Sequence, residues 1–316
     1  MIDRTLDAGD LFKFVDLGFK VFWPVIALGW IAGLYPRAVA SAERIDELLE
    51  QRSEIVEAPA ARTLEHVEGR LTLREVGFTY EGAARPALIG VTLEVPPGTT
   101  LGVVGPTGSG KSTLLNLLGR LFEAHGELRL DGVPIRELTL DSLRGALAYV
   151  PQDSFLFSDT YRANLEFGAP RALEEAELRR LTREVALEAE VAAFPNGLDQ
   201  LIGERGVTLS GGQRQRTCIA RALARGPRVL ILDDALSAVD TETEARLLSN
   251  LRQAGKGRTV VVAAHRLTTV RAAEQILVLR EGRPEALGTH AELLERSRWY
   301  RDTWERQRMT AELEVL

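Results

Sequence analysis

The chain has 316 residues, 45% hydrophobic and 27% charged, enough apolar material for one large domain with an appendage. A net charge of −6 argues against nucleic-acid binding through a general basic surface. The single cysteine, Cys218, excludes an internal disulfide and a cysteine-rich metal site, and fits a reducing compartment. Lysine occurs only at positions 13, 20, 111 and 256, so arginine carries most of the positive charge.

The chain opens with an apolar stretch, Leu11–Tyr35, that includes Phe22, Trp23, Trp30 and Tyr35, with charges at Lys13, Asp16 and Lys20. Its unbroken core, Val21–Tyr35, is shorter than the roughly 18 residues a lone membrane span needs. The run begins too far in, and lacks the small-residue cleavage site, for a secretory signal. Two readings stay open from these residues. One is a buried or amphipathic helix; the other is a transmembrane helix bordering a polar cavity, kinked at Pro24. Beyond Pro36 the pattern turns charged and helical through Ser41–Glu50, with Ile45, Leu48 and Leu49 on one stripe. Residues 51–65, around Pro59, read as a linker. The main domain is expected over 66–300, followed by a helical tail over 301–316.

From Leu71 alternation predicts short strands at Leu71–Val76, Phe78–Tyr80 and Leu88–Val95, with a turn at Pro96–Gly98. Leu101–Val104 reads as a buried strand. A hairpin is expected over Glu127–Ile135 with its turn at Asp131–Gly132. Residues 171–193, rich in Glu and Arg, read as helical. Val229–Leu232 and Thr259–Ala264 are two more apolar strands. Strands alternating with helices indicate an α/β fold with a mainly parallel sheet covered on both faces.

Two motifs carry chemistry on their own. Gly105-Pro106-Thr107-Gly108-Ser109-Gly110-Lys111-Ser112-Thr113 follows a buried strand and opens a helix expected over Leu114–Leu121, the context that defines a P-loop. Its glycines let backbone N–H groups turn toward phosphate oxygens, and the helix N-terminus adds partial positive charge. Lys111 is placed to neutralise β- and γ-phosphates and Ser112 to ligate Mg²⁺. Val229–Leu232 runs into Asp233 and Asp234, an apolar strand ending in carboxylates, where Asp233 would hold Mg²⁺.

Leu209-Ser210-Gly211-Gly212-Gln213, ahead of a helix expected over Arg214–Ala224, resembles the signature sequence of the ATP-binding cassette (ABC) superfamily. The resemblance covers roughly residues 66–300. It implies a P-loop NTPase cassette with an antiparallel β subdomain and an α-helical signature subdomain. It also implies that two cassettes dimerise head to tail, with Ser210 and Gly212 contacting the γ-phosphate held on the partner's P-loop and Gly211 and Gln213 completing the nucleotide-binding set. By the same resemblance Tyr80 stacks on adenine, which needs only its π face. Gln152, in Val150-Pro151-Gln152-Asp153, matches the glutamine that senses Mg²⁺ and couples the site to the membrane domain. Ser237–Asp240 matches the D-loop, and His265 the switch histidine. His66, His125 and His290 read as surface or turn residues, and Cys218 as packing.

Leu201–Gly206, with Glu204-Arg205-Gly206, resembles a segment of exporters that meets the coupling helices of the membrane domain. Residues 1–50 resemble the last transmembrane helix of an exporter subunit and its cytosolic extension. That favours the membrane reading and a cytoplasmic-membrane location, with the cassette in the cytoplasm and the remaining transmembrane helices absent from this chain. A soluble cassette ATPase of DNA repair or translation fits the apolar leader and acidic charge poorly.

One position departs from the family pattern. Hydrolysing cassettes carry a glutamate after the metal-binding aspartate, and here Asp234 is one methylene shorter. The departure resembles the weaker half of heterodimeric exporters, and implies a slow site of its own beside a different, competent partner. The other reading is an ATP-binding clamp with negligible turnover.

Overall fold

The computed structural model describes residues 7–51, 53–254 and 257–314. Residues 1–6 of the expected leader and the last two of the expected tail lie outside them. The chain divides into two compact units, Met1–Glu54 and Ile55–Leu316.

The described part of the first unit is one helix, α1 (Ala8–Glu50), which contains both Pro24 and Pro36. The expected change of pattern at Pro36 therefore falls inside a continuous helix. Its apolar side chains, among them Phe12, Phe19, Trp23 and Trp30, are exposed, and it is long and apolar enough to cross a membrane. Two of its charges are paired within the helix, Lys20 to Asp16 at 2.6 Å and Lys13 to Asp10 at 3.6 Å.

The second unit runs β1 (Leu71–Phe78), β2 (Leu88–Val95), β3 (Thr100–Val104), α2 (Lys111–Leu118), β4 (His125–Leu130), β5 (Val133–Pro134), α3 (Leu140–Ala146) and β6 (Leu147–Val150). It continues with α4 (Tyr161–Glu166), α5 (Glu175–Glu184), α6 (Glu188–Ala192), α7 (Gly211–Ala224), β7 (Val229–Asp233), α8 (Thr241–Ala254) and β8 (Thr259–Ala263). Last come α9 (Leu267–Val270), β9 (Gln275–Arg280), β10 (Arg283–Gly288), α10 (His290–Arg296) and α11 (Arg298–Glu314).

Among the described residues ten strands form two sheets. One is antiparallel, in the order β2-β1-β4-β5, and the other has six strands in the order β10-β9-β3-β8-β7-β6. In the second, β9, β3, β8, β7 and β6 run parallel and β10 is an antiparallel edge. Five-residue strands β7 and β8 are buried at every position, as strands covered on both faces must be. One apolar cluster packs helices α4 to α8 on one face of this sheet. A second fills the space between its other face and the antiparallel sheet, around Leu114, Leu117, Val76 and Leu101. The mainly parallel sheet, the antiparallel subdomain and the helical subdomain thus match the expected fold.

Local boundaries differ in instructive ways. Helix α2 starts at Lys111, not Leu114, because Gly110 takes φ +99° and turns the loop directly into the first helical residue. The 171–193 segment is two helices, broken at Ala186, which has φ +56°. Strand β1 ends at Phe78, leaving Tyr80 in the following turn. Strands β6, β9 and β10 were not anticipated. Residues 55–64, expected as linker, are tied to the cassette. The Arg62 N–H donates to the Glu137 carbonyl at 2.7 Å, and its carbonyl accepts from Thr139 at 2.9 Å. Buried Arg120 donates to the Val56 carbonyl at 3.0 Å, and Glu57 accepts from the Leu140 N–H at 2.6 Å.

Candidate functional site: a phosphate loop at the sheet edge

The C-terminal ends of β3, β7 and β8 place three loops side by side, the position where open α/β sheets bind ligands. From β3 the chain enters Gly105. A Cβ there would lie 2.1 Å from the Leu279 carbonyl oxygen on neighbouring β9, so no larger residue fits. At Gly110 a Cβ would lie 2.6 Å from the Ala87 carbonyl oxygen. The loop is therefore a cradle of bare backbone, and the first N–H groups of α2 have no acceptor within the helix. Thr107 and Gly108 are exposed at its rim, while Ser109 is buried with its hydroxyl unpartnered.

Lys111 folds back over this cradle. Its ammonium donates to the carbonyls of Gly105 at 3.0 Å and Pro106 at 3.1 Å, and the residue is 7% exposed. Burial lowers its pKa, while Asp234 and Asp233 pull it upward. The Ser112 hydroxyl donates to Asp233 Oδ1 at 3.0 Å. Thr113, the next residue, sits 3.1 Å from the Tyr80 hydroxyl. The Tyr80 ring packs edge-on against Phe78 and Phe122 and keeps 37% of its surface exposed, a π face held beside the phosphate loop.

The structure adds a residue that the sequence reading missed. Tyr149 on β6 lies 2.9 Å from Asp233 Oδ2 and 2.9 Å from the amide of Asn116 on α2. One phenol proton cannot serve both. The Asp233 carboxylate is the stronger acceptor of the two, the Asn116 amide oxygen the weaker. Burial, then Asp233, raises the Tyr149 pKa and keeps that proton in place. Tyr149→Phe should destabilise the chain by about 1–2 kcal/mol and weaken binding of a cation at Ser112 and Asp233. Thermal melts with and without Mg²⁺ check this; an unchanged Mg²⁺ response would remove Tyr149 from the site.

Asp234 follows β7 with φ +47° and donates its N–H to the Ala263 carbonyl at 3.0 Å. Its carboxyl is half-buried, and burial raises its pKa against the opposing pull of His265. A cavity of ≈ 80 Å³ borders Asp234, Ser237, His265 and Thr269. His265, on the loop after β8, is exposed. Gln152 is exposed just past β6.

Ser210 caps α7. Its hydroxyl accepts from the Gln213 N–H at 3.2 Å, and Gln213 Oε1 accepts from the Ser210 N–H at 2.9 Å. Gly212 is needed for close approach, since a Cβ there would lie 2.9 Å from the Ala238 carbonyl oxygen, while a Cβ on Gly211 would meet the Ala238 methyl at 3.2 Å. Gln215, also missed, joins α7 to that loop by donating to the Ser237 hydroxyl at 3.0 Å and accepting from the Ala238 N–H at 2.9 Å. Among the described residues no hydrogen bond joins Ser210–Gln213 to the phosphate loop. The Asp240 carboxylate accepts from the Thr243 N–H at 2.9 Å at the start of α8, and Thr243 lowers its pKa. One oxygen of that exposed carboxylate thus caps α8.

His290, read as a surface residue, is half-buried and lies 2.8 Å from the Tyr300 hydroxyl. Cys218 is buried in the core. It also borders a groove of ≈ 320 Å³, lined by Tyr149, Asp153, Phe155, Phe167 and Arg221 among others.

Residues 88–237 match the family described as ABC transporter. The multidrug resistance-like ATP-binding protein MdlA of Escherichia coli (strain K12) is 41% identical over 319 positions, covering 99% of this chain and 53% of that protein. The ATP-dependent lipid A-core flippase of Thiobacillus denitrificans is 41% identical over 292 residues, covering 92% of this chain and 50% of its own length. A solved bacterial Atm1-family ABC exporter with ATP bound superposes with a TM-score of 0.81 at 36% identity, covering 97% of this chain and 54% of that one. The chain spans about half the length of the curated relatives it matches. With the motifs in place and the matches on both sequence and fold, this chain carries a domain of the ABC transporter family.

Proposed function

We propose that this chain is the ATP-binding and ATP-hydrolysing subunit of an ABC exporter, coupling ATP-driven pairing of two cassettes to export across a membrane. One observation supports it above the rest. The phosphate loop, Asp233, Asp234 and His265 gather at the carboxyl ends of neighbouring strands, whereas, among the described residues, the Ser210 helix end makes no hydrogen bond to the phosphate loop of its own chain. A second cassette in head-to-tail pairing would bring the two together.

The residues fit the nucleotide and its metal. The glycine cradle, the buried Lys111 ammonium and the N-terminus of α2 form a donor set for a triphosphate, with Tyr80 offering its face to the base. Ser112 and Asp233, hydrogen-bonded to each other, are hard oxygen donors of the kind Mg²⁺ takes alongside water and phosphate. Gln152 is the third candidate ligand. Held by Ser112 and Asp233, Mg²⁺ would supply positive charge to neutralise the phosphate oxygens as negative charge develops on them. Lys111 contributes a second positive charge to the same oxygens. The Asp234 carboxylate accepts a hydrogen bond from the attacking water and orients its lone pair toward the γ-phosphorus, and His265 donates to the γ-phosphate. Catalysis is then positioning and charge neutralisation, with no covalent intermediate.

The Asp234 side chain, shorter than the family's glutamate, supports a slow site and pairing with a different, competent subunit. The alternative, a clamp without useful turnover, rests on the same residue. The groove at Phe155 and Phe167 suits the coupling helices of the membrane domain. Arg221 braces it through the Phe155 and Asn164 carbonyls at 3.0 and 2.9 Å. The apolar, exposed α1 fits the last membrane helix of such a domain, in the cytoplasmic membrane with the cassette in the cytoplasm.

The test uses the full chain in detergent with Asp234→Asn to arrest turnover. ATP should convert it to a cassette dimer, with itself or with a partner subunit, and Ser210→Arg should abolish the dimer while single-chain ATP binding persists. If Ser210→Arg removes nucleotide binding by the lone chain, Ser210 acts within its own site and the head-to-tail reading falls.

A further inference from the structure

The loop that presents His265 is held from two sides. From within, the Arg266 guanidinium donates to the carbonyls of Leu236 at 2.7 Å and Val239 at 2.9 Å, and pairs with buried Glu244 at 2.6 Å. Thr269 donates to the other oxygen of the same carboxylate. From outside comes a residue 42 positions away. Gln307 on α11 donates from Nε2 to the His265 carbonyl at 2.9 Å, and its Oε1 accepts from the Leu267 N–H at 2.8 Å. One side-chain amide thus satisfies the backbone on both flanks of Arg266, as a paired strand would.

The placement of Gln307 is built into its helix. Tyr300, Thr303 and Trp304 form the packed stripe of α11, with Tyr300 0% and Thr303 8% exposed, and Trp304 stacks edge-on against His290 at 4.6 Å. Position 307 continues that stripe at helical spacing. The stripe would ordinarily end on an apolar side chain. It ends instead on a glutamine whose two polar atoms both meet switch-loop backbone, and the docked Tyr300 and Trp304 fix where that amide stands.

We propose that Gln307 is a positioning residue for hydrolysis: the carboxy-terminal helix fixes the peptide groups around His265 and so sets the direction in which the imidazole leaves the loop. The inference rests on the reading that His265 acts at the γ-phosphate. It makes α11 a positioning element for the switch loop, acting through the backbone of His265 and Leu267. Loss of the amide leaves the His265 carbonyl and the Leu267 N–H without their partner, and lets the loop relax on the side that Arg266 does not hold.

The experiment uses the full chain in its assembled state with Gln307→Leu, His265→Ala and the double variant. Gln307→Leu should lower kcat about tenfold and leave ATP affinity within about twofold, the pattern of a group that acts only in the transition state. In the His265→Ala background the same change should alter kcat by less than about twofold, because coupled residues are not additive. Gln307→Glu, which keeps the acceptor for Leu267 but loses the donor to His265, should resemble Gln307→Leu. Histidine NMR gives a readout independent of turnover, since the chain has four histidines. The His265 imidazole resonance should shift in Gln307→Leu, while that of His290, packed on the same helix, stays fixed and reports that α11 is still docked. A tenfold loss that persists without His265, or an unmoved His265 resonance, overturns the inference. If His265→Ala alone leaves kcat unchanged, the reading of His265 fails instead, and the resonance still decides whether Gln307 holds the loop.

Discussion

Asp234→Glu raises steady-state Mg-ATP hydrolysis by this chain about tenfold or more, and Asp234→Asn removes it. The carboxylate of Asp234 sits one methylene back from where a glutamate would place it, and misplacement of about 1 Å at a reacting centre costs on the order of 10²-fold in rate. Its surroundings add a pH signature. Burial raises the Asp234 pKa, so the carboxyl stays protonated to higher pH than an ordinary aspartate. Only the ionised form accepts a proton, so the acid limb of the kcat profile should lie on the alkaline side of the usual aspartate range. The sign for stability follows from the same shift. A carboxyl with a raised folded-state pKa stabilises the fold below its unfolded pKa and loses that contribution as pH rises through the folded value. At neutral pH Asp234→Asn should therefore raise Tm, with the gain fading on acidification. Rates and melts across pH check both parts. A wild type already as fast as the glutamate variant, with asparagine inactive, would make Asp234 a competent base and favour an ordinary homodimer.

Lys111→Met should weaken ATP binding by at least about 100-fold, as expected for removing one partner of a desolvated charge contact. The empty chain should be no less stable for it. The ammonium is held by two carbonyls but is costly to bury, as its lowered pKa records, and a methionine of similar length fills the same space without that cost. Titration calorimetry and a melt without nucleotide separate the two effects. Near-normal ATP affinity in Lys111→Met would place the phosphates elsewhere and sink the assignment of this loop.

The parts of this site that the sequence reveals are the local ones. A strand, a glycine loop and a helix start are contiguous in Leu101–Thr113, and their chemistry is written in consecutive residues. Asp233 and Asp234 were equally legible, because a strand ending in two carboxylates is a local pattern. Contacts made by distant parts of the chain were not. Tyr149 reaches Asp233 across 84 positions and Gln215 reaches Ser237 across 22, and neither has a local motif to announce it. Strand β6 is four residues directly following α3, an apolar run whose period cannot separate strand from helix. The hairpin of β9 and β10 did carry a signal, since Gly282 at its turn has φ +76°. Asp240, read as part of the D-loop, also accepts the Thr243 N–H at the start of α8, a task its motif does not announce.

The strap at residues 55–64 changes where this protein can be cut. A soluble cassette beginning at residue 66, the boundary that composition suggests, would lose the Val56 carbonyl from the Arg120 guanidinium and Glu57 from the Leu140 N–H. Arg120 would keep its pair with Glu123 at 2.8 Å, so the loss is of one charge-assisted hydrogen bond, worth about 1.5–3 kcal/mol, together with the cover that leaves the residue 2% exposed. A fragment beginning at Ile55 would keep every one of these bonds while leaving the apolar helix behind. The boundary of the folding unit thus lies where the last backbone carbonyl is claimed, at Val56, 15 residues before the strand-like alternation that begins at Leu71.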